Sequence, residues 1–221
     1  MSDEDDVPRV LEEAGLSSGQ VLVLVGGAGG LEADEEARLS DLVRDYVVPV
    51  IERIGAMVVD GGTDSGIMRA IGRARSDADA HFPLIGVASA GTVRSPGDGG
   101  EADVDPHHTH IVLVPGHDWG DESPWLSEVA SALTTGHRSA TLLVNGGEIA
   151  YADVHHSLRK GRPVIVLAGS GRTADTIASA RRDPSADERA ARIAASPLVR
   201  IVSVDDPKAL AEVLSDALSA R

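Results

Sequence analysis

Arg172 stands directly after the turn Gly169-Ser170-Gly171, at what reads as the start of a helix. A guanidinium so placed can clamp a phosphate through two parallel hydrogen bonds. Glu148 follows Asn145-Gly146-Gly147 at a second helix start. The helix dipole alone favours an acid there, and such a carboxylate would accept hydrogen bonds from a ribose or a base while its charge repels phosphate. Trp119, in a glycine-rich loop, offers a ring on which a base can stack. His107, His108, His110, His117 and Asp118 crowd one stretch, and His108 and His110 would share a face of an incoming strand. No third ligand follows at a recognisable metal spacing, so no metal is expected. His155 and His156, adjacent on a helix, point in different directions. Each of these groups also has a plainer reading: a surface salt bridge for Arg172, the dipole for Glu148, ordinary packing for the rest.

Glycine loops must position these groups. In Met57-Val58-Val59-Asp60-Gly61-Gly62-Thr63-Asp64-Ser65-Gly66-Ile67-Met68 an apolar run reads as a buried strand, enters a glycine turn and passes into a helix. Ile67, Met68, Ile71 and Ala74 give that helix its apolar face. The glycines allow a sharp turn and the close approach of a ligand, and Thr63 or Asp64 can cap the helix. The same order of parts recurs at Gly26-Gly27, at Asn145-Gly146-Gly147 and at Gly169 to Arg172. The expected ligand-binding positions are therefore Gly26, Gly27, Gly61, Gly62, Thr63, Gly66, Trp119, Gly146, Gly147, Glu148, Gly169, Ser170, Gly171 and Arg172. Read structurally, the glycines are turn residues and nothing more. Gly62→Val is expected to block access to the site while leaving the fold largely intact.

Further apolar runs predict strands over 21–25, 84–88, 111–114, 140–144, 163–168 and 199–204. Helices are expected with Leu39, Leu42, Val43, Tyr46, Val47, Val50, Ile51 and Ile54 on one face, then over 124–134, 148–160 and 173–181, and from Asp206-Pro207 onward. Pro49 should kink or interrupt the first of these, since it removes a backbone donor. Residues 182–195 read as a surface stretch. The polar segment 91–110 is long enough for a loop with a function of its own. Strands alternating with helices imply an α/β protein, a parallel sheet of about seven strands covered on both faces. In such sheets ligands sit at the carboxyl ends of the strands, where all four glycine loops fall.

Composition narrows the partners. The net charge of −15 argues against a nucleic-acid surface and against an anionic membrane. The absence of cysteine removes disulfides, thiolate zinc sites and a cysteine nucleophile. No apolar run approaches the roughly 18 residues of a membrane span, and the acidic start lacks a signal core, so a cytoplasmic location is expected. Residues 1–19 read as a loose acidic lead-in with room for one helical turn around Val10 and Leu11, and 20–221 as a single domain. There is no G-x-x-x-x-G-K-[ST]. Gly26 to Gly30 does not keep G-x-G-x-x-G, and Asp60 lies well beyond the roughly 20 residues at which a ribose-binding acid would follow. A P-loop NTPase and a simple NAD-dependent dehydrogenase are both disfavoured, and no cofactor is expected.

Taken in order, Asp60-Gly61-Gly62-Thr63-Asp64-Ser65-Gly66-Ile67-Met68-Arg69, His108-Thr109-His110-Ile111-Val112-Leu113-Val114, Asn145-Gly146-Gly147-Glu148 and the run from Pro163 through Gly169-Ser170-Gly171-Arg172-Thr173-Ala174-Asp175 resemble the SLOG superfamily. The likeness is to its LSDAT branch, found in the cytosolic N-terminal region of melastatin-type TRP channels and in small prokaryotic proteins. That resemblance implies a Rossmann-like, three-layer α/β/α sandwich and a nucleotide-derived, phosphate-containing ligand such as an ADP-ribose-like molecule. It also implies a homodimer or higher homo-oligomer, and a structural role for His-Thr-His. Two departures stand out. Trp119-Gly120 keeps an aromatic-Gly pair, but Trp125-Leu126-Ser127-Glu128 lacks the arginines that follow it in the channels. Asn145 to Asp153 keeps the glycines of the P-G-G-x-G-T-x-x-E motif of LOG-type phosphoribohydrolases, loses its Gly-Thr pair, and has the shorter Asp153 in place of its glutamate. The leading expectation is a binding or sensing protein. The alternative is an N-glycosidic hydrolase in which Glu148 or Asp153 stabilises an oxocarbenium-like ribose while Arg172 holds phosphate.

Overall fold

The computed structural model describes residues 6–27, 32–94 and 101–219. Each apolar run becomes a strand: β1 (Val21–Gly26), β2 (Met57–Asp60), β3 (Leu84–Ser89), β4 (His110–Val114), β5 (Ser139–Val144), β6 (Val164–Ala168) and β7 (Val199–Ser203). All neighbours pair in parallel, in the order β4-β3-β2-β1-β5-β6-β7. Strands covered on both faces need no polar side, which is why they read as unbroken apolar runs rather than as alternations. Within β1, Val21, Val23 and Val25 face one core while Leu22 and Leu24 face the other.

Nine helices of the described residues supply the outer layers: α1 (Val7–Glu13), α2 (Ala33–Leu42), α3 (Val48–Ile54), α4 (Gly66–Asp77), α5 (Ser123–Leu133), α6 (Glu148–Arg159), α7 (Arg172–Ala180), α8 (Glu188–Ala194) and α9 (Pro207–Leu218). Helices α1 and α5–α8 bury residues in one core; α2–α4 and α9 bury theirs in the other. The result is a Rossmann-like α/β/α sandwich. Fully burying one of its Val, Leu or Ile side chains is worth about 1.5–3 kcal/mol, so two continuous aliphatic cores hold the layers despite the few aromatics.

Three local outcomes have simple causes. Pro49 does interrupt its helix. Residues Val43–Val47 form a π turn in which the Val48 N–H reaches back to the Val43 carbonyl, and Pro49 then sits in the first turn of α3, where a missing N–H costs least. The segment read as a loose lead-in carries α1, whose Val7 and Leu11 are buried. The stretch 182–195 is not all surface: Asp187 caps α8 by accepting the Ala190 N–H, and Ala190, Ile193 and Ala194 pack inward.

Candidate functional site

The sheet order reverses between β1 and β5. The chain leaves β1 for α2 on one face and leaves β5 for α6 on the other, so the two carboxyl ends part and open a crevice. A cleft of about 360 Å³ occupies it, within the usual range for small-molecule sites.

The first wall is Gly26-Gly27. A Cβ on Gly26 would lie 2.2 Å from the Val144 carbonyl oxygen, so only glycine permits β1 and β5 to run this close at their ends. Asn145, at φ +58°, ties the wall to its neighbour: its Nδ2 donates to the Gly27 carbonyl (2.8 Å) and its backbone N–H to Ser170 Oγ (2.8 Å).

The second wall is the loop after β2. Asp60 Oδ1 accepts the Gly62 N–H (2.7 Å), which folds the loop over. Gly61, Thr63 and Ser65 then line the cleft, with the two hydroxyls 3.1 Å apart. Helices α4 and α6 both begin here without a side-chain cap, whereas α8 and α9, elsewhere, are capped by Asp187 and Asp206. Uncapped amides and the positive ends of two helix dipoles favour an anion.

The third wall is Gly147 with Arg172. A Cβ on Gly147 would come within 3.0 Å of Arg172 Nη2, so glycine lets the guanidinium lie across the loop. Arg172 holds φ +40°, a left-handed conformation that costs an L-residue of its kind about 1–2 kcal/mol. At α7, Thr173 and Ala174 donate to the Gly146 and Asn145 carbonyls, so this helix brings a guanidinium to the site rather than a row of amides.

Acids line the remaining side. Glu122, at the head of α5, accepts the Gly120 N–H (3.0 Å) and the Ser89 hydroxyl (3.2 Å). Asp153 projects from the second turn of α6, and burial pushes its carboxyl up to about 7, with the Glu122 charge adding to the shift and the Ser123 hydroxyl opposing it. Glu148 lines the rim, but Arg189 holds both of its oxygens and lowers its pKa, while the Arg189 guanidinium stacks 3.6 Å from the Tyr151 ring. Trp119 lies at the mouth, 45% exposed, its indole N–H donating to Glu101 (3.1 Å). Among the described lining residues Arg172 is the cation.

The geometry thus brings Gly26, Gly27, Gly61, Thr63, Trp119, Gly147, Glu148, Asp153 and Arg172 to one cleft. It sets the other expected positions behind it. Gly62 packs against Gly86 and Ile111, and Gly146 against Ala150 and Leu143. Gly66, the first residue of α4, is buried beside Ser65 and does not itself line the cleft, and Gly169 faces Val204 with its N–H on Asp175 (2.5 Å). Ser170 and Gly171 shape the turn that presents Arg172. The Gly62→Val expectation is therefore corrected: a side chain there meets the β3 backbone, not a ligand. Glu122 went unseen in the sequence, where Asp121-Glu122-Ser123-Pro124 reads only as a helix start.

The histidines separate. His110, half-buried at the start of β4, meets Thr109 Oγ1 (2.8 Å), whereas His108 is buried between Asp60 (2.8 Å) and Asp105 (3.1 Å). Among the described residues no three His, Cys, Asp or Glu side chains are arranged to hold a metal.

The Asp153 carboxyl gives a first test. Its folded pKa lies above the unfolded value, so the native state binds the extra proton and stability falls as pH rises from about 4 to 7. Asp153→Asn removes that penalty. The variant should unfold at a higher temperature than the parent, by a margin that grows from pH 4 to pH 7 and then levels off. Thermal unfolding followed by circular dichroism at pH 4, 6 and 8 checks this, and a margin that does not change with pH would contradict it.

Over residues 19–212 the chain matches the family model LSDAT_prok, described as SLOG in TRPM, prokaryote. It is similar to transient receptor potential cation channel subfamily M member 2 of Mus musculus, 25% identical over 203 residues covering 74% of this chain and 13% of the channel. It is similar also to the subfamily M member-like 2 protein of Nematostella vectensis, 25% identical over 202 residues covering 71% and 13%. The chain thus spans about 13% of the length of these relatives. An X-ray structure of the structural-genomics target TM1055 shares the fold, with a TM-score of 0.57 at 19% identity over 88% of this chain and 99% of that one.

Proposed function

This chain belongs to the LSDAT_prok family, SLOG in TRPM of prokaryotes, and on that premise we propose that it binds a nucleotide-derived, phosphate-containing small ligand in the cleft between β1 and β5. The observation that carries the reading is Arg172. An arginine held at a costly φ, with its guanidinium laid over Gly147 at the topological switch point, supports a role toward a ligand. The phosphate lies against Arg172 and the starts of α4 and α6; the ribose hydroxyls donate toward Asp153 and Glu122; the base stacks at Trp119. The protein acts in the cytosol on this reading, and among the described residues no helix is long and apolar enough to cross a membrane.

One observation favours a second reading. A carboxyl with a pKa of about 7 can be protonated at neutral pH, as a general acid must be. Asp153 would then give its proton to the departing base as the N-glycosidic bond breaks, Arg172 would hold the phosphate, and a water bonding to the ribose C1′ would return a proton to the Asp153 carboxylate. Calorimetry with AMP, ADP and ADP-ribose, followed by chromatography of each mixture for free base, separates the two. Binding without free base supports a carrier or sensor, and free base that disappears in Asp153→Asn supports the hydrolase. No heat and no product across the panel would sink both.

A further inference from the structure

We infer that His108 is a charged clasp holding the Gly61–Ser65 wall of the cleft in place, so that the wall loosens as alkaline pH removes its proton. His108, Asp60 and Asp105 are fully buried side chains from two segments: Asp60 ends β2, and Asp105 and His108 lie three residues apart on the approach to β4. Imidazole Nε2 lies 2.8 Å from Asp60 Oδ1, and Nδ1 lies 3.1 Å from Asp105 Oδ1. A neutral imidazole has one N–H and would turn a lone pair toward one of the two carboxylates; the imidazolium donates to both.

These acids are also the joints of the wall. Asp60 Oδ1 accepts the Gly62 N–H, and the Asp105 N–H donates to the Gly62 carbonyl (3.0 Å). The Asp64 N–H donates to the Asp103 carbonyl (2.8 Å), and Thr63 bridges Val104 in antiparallel fashion. Segments 60–65 and 103–108 therefore form one unit closed by His108. Other charged groups face it from each side. His107 lies 3.5 Å from Asp105 Oδ2, and Arg69 of α4, bonded to Asp64 (2.6 Å), adds positive charge near Asp105. Asp60 Oδ2 is buried with no hydrogen-bond partner among the described residues, so losing the imidazolium would leave buried carboxylates with one donor fewer.

Burial alone pulls the His108 pKa down; the charge and hydrogen bond of Asp60, with those of Asp105, outweigh it and hold the value above that of an ordinary histidine. The sign follows. The clasp contributes fully below the unfolded pKa near 6.5, weakens by about tenfold per pH unit between that value and the higher folded one, and has nothing further to lose above it. As a control on binding, this rests on the proposed cleft; as a property of the wall, it does not.

The test uses the full-length chain. Nitrogen NMR of the imidazole should show His108 doubly protonated at pH 7. Hydrogen exchange corrected for the intrinsic rate should show protection of peptides covering 57–68 and 101–110 falling about tenfold or more between pH 7 and 9.5, while 139–168 keeps its protection. In Asp105→Asn the loss should move to lower pH. A neutral His108 at pH 7, unchanged protection of both segments, or an Asp105→Asn profile that coincides with the parent overturns the clasp. AMP and ADP-ribose titrated over the same pH range complete the test. Affinity that falls along the exchange curve supports the coupling, and affinity that stays constant while the wall opens overturns it. If neither nucleotide binds at any pH while exchange behaves as stated, the clasp stands and the nucleotide reading alone fails.

Discussion

Arg172→Gly is expected to weaken binding of a phosphate-bearing nucleotide about 10- to 150-fold while leaving stability within about 1 kcal/mol of the parent. The binding loss follows from removing a charge-assisted hydrogen-bond donor, worth about 1.5–3 kcal/mol. The stability estimate balances two terms. Glycine accepts φ +40° and relieves about 1–2 kcal/mol of backbone strain, but its freedom in the unfolded chain costs roughly 0.5–1 kcal/mol at a helical position. Arg172→Ala separates the terms: it loses the same guanidinium and keeps the strained backbone, so it should bind as poorly as the glycine variant and unfold at a lower temperature. Calorimetry with AMP and ADP-ribose and a thermal scan of both variants provide the measurement. Affinity indifferent to either substitution would show that Arg172 does not serve the ligand.

The largest effect on stability is expected at a glycine behind the cleft. Gly62 has φ +68°, and a Cβ there would stand 2.9 Å from the Gly86 Cα and 3.2 Å from Ile111 Cδ1. A backbone atom of β3, paired on both sides, cannot move aside as a flexible side-chain tip can. Overpacking of about 1–3 kcal/mol and left-handed strain of about 1–2 kcal/mol together give Gly62→Val a cost of roughly 2–5 kcal/mol. In a chain of this size that lowers the unfolding midpoint by roughly 4–20 °C. Gly61 is the contrast. Its nearest neighbour in space would be Met68 Cε at 4.0 Å, and it lines the cleft, so Gly61→Val should fill the site and barely move the midpoint. Equal midpoints for the two valine variants would refute the assignment of one glycine to the fold and the other to the site.

That contrast shows what is readable in this chain and what is not. Strands such as 21–25 and 140–144 are plain because both faces of a parallel sheet are buried and nearly every position is then apolar, Thr141 being buried with its hydroxyl donating to Ser157. The turn Gly169-Ser170-Gly171 before Arg172 is plain because a glycine turn leading into a helix presents the next side chain. Adjacent glycines are opaque: Gly61 and Gly62 are the same letter, and which one faces a ligand depends on Gly86, a strand away. Helix α1 is legible only as one turn around Val10 and Leu11, and α8 escapes notice, because a seven-residue helix offers few apolar positions and alanines bury well without a strong periodic signal. Glu148 is legible as an acid at a helix start, but its partner Arg189 lies in a helix the sequence hid. Glu122 and Asp153 meet only because α5 and α6 are neighbours.

The central strand has a consequence for the order of events in folding. β1 pairs on one side with β2, a nearby part of the chain, and on the other with β5, so that Val21 sits beside Ser139. The second pairing closes a very long loop, and such non-local parallel pairings are slow to form. During synthesis β1 to β4 can assemble early, yet the Gly26-Gly27 edge stays bare until β5, Gly147 and Arg172 have emerged. A chain stopped after β4 carries the Gly61–Ser65 wall and the His108 clasp but only half a crevice. The slow pairing of β5 with β1 is therefore also the step that creates the cleft.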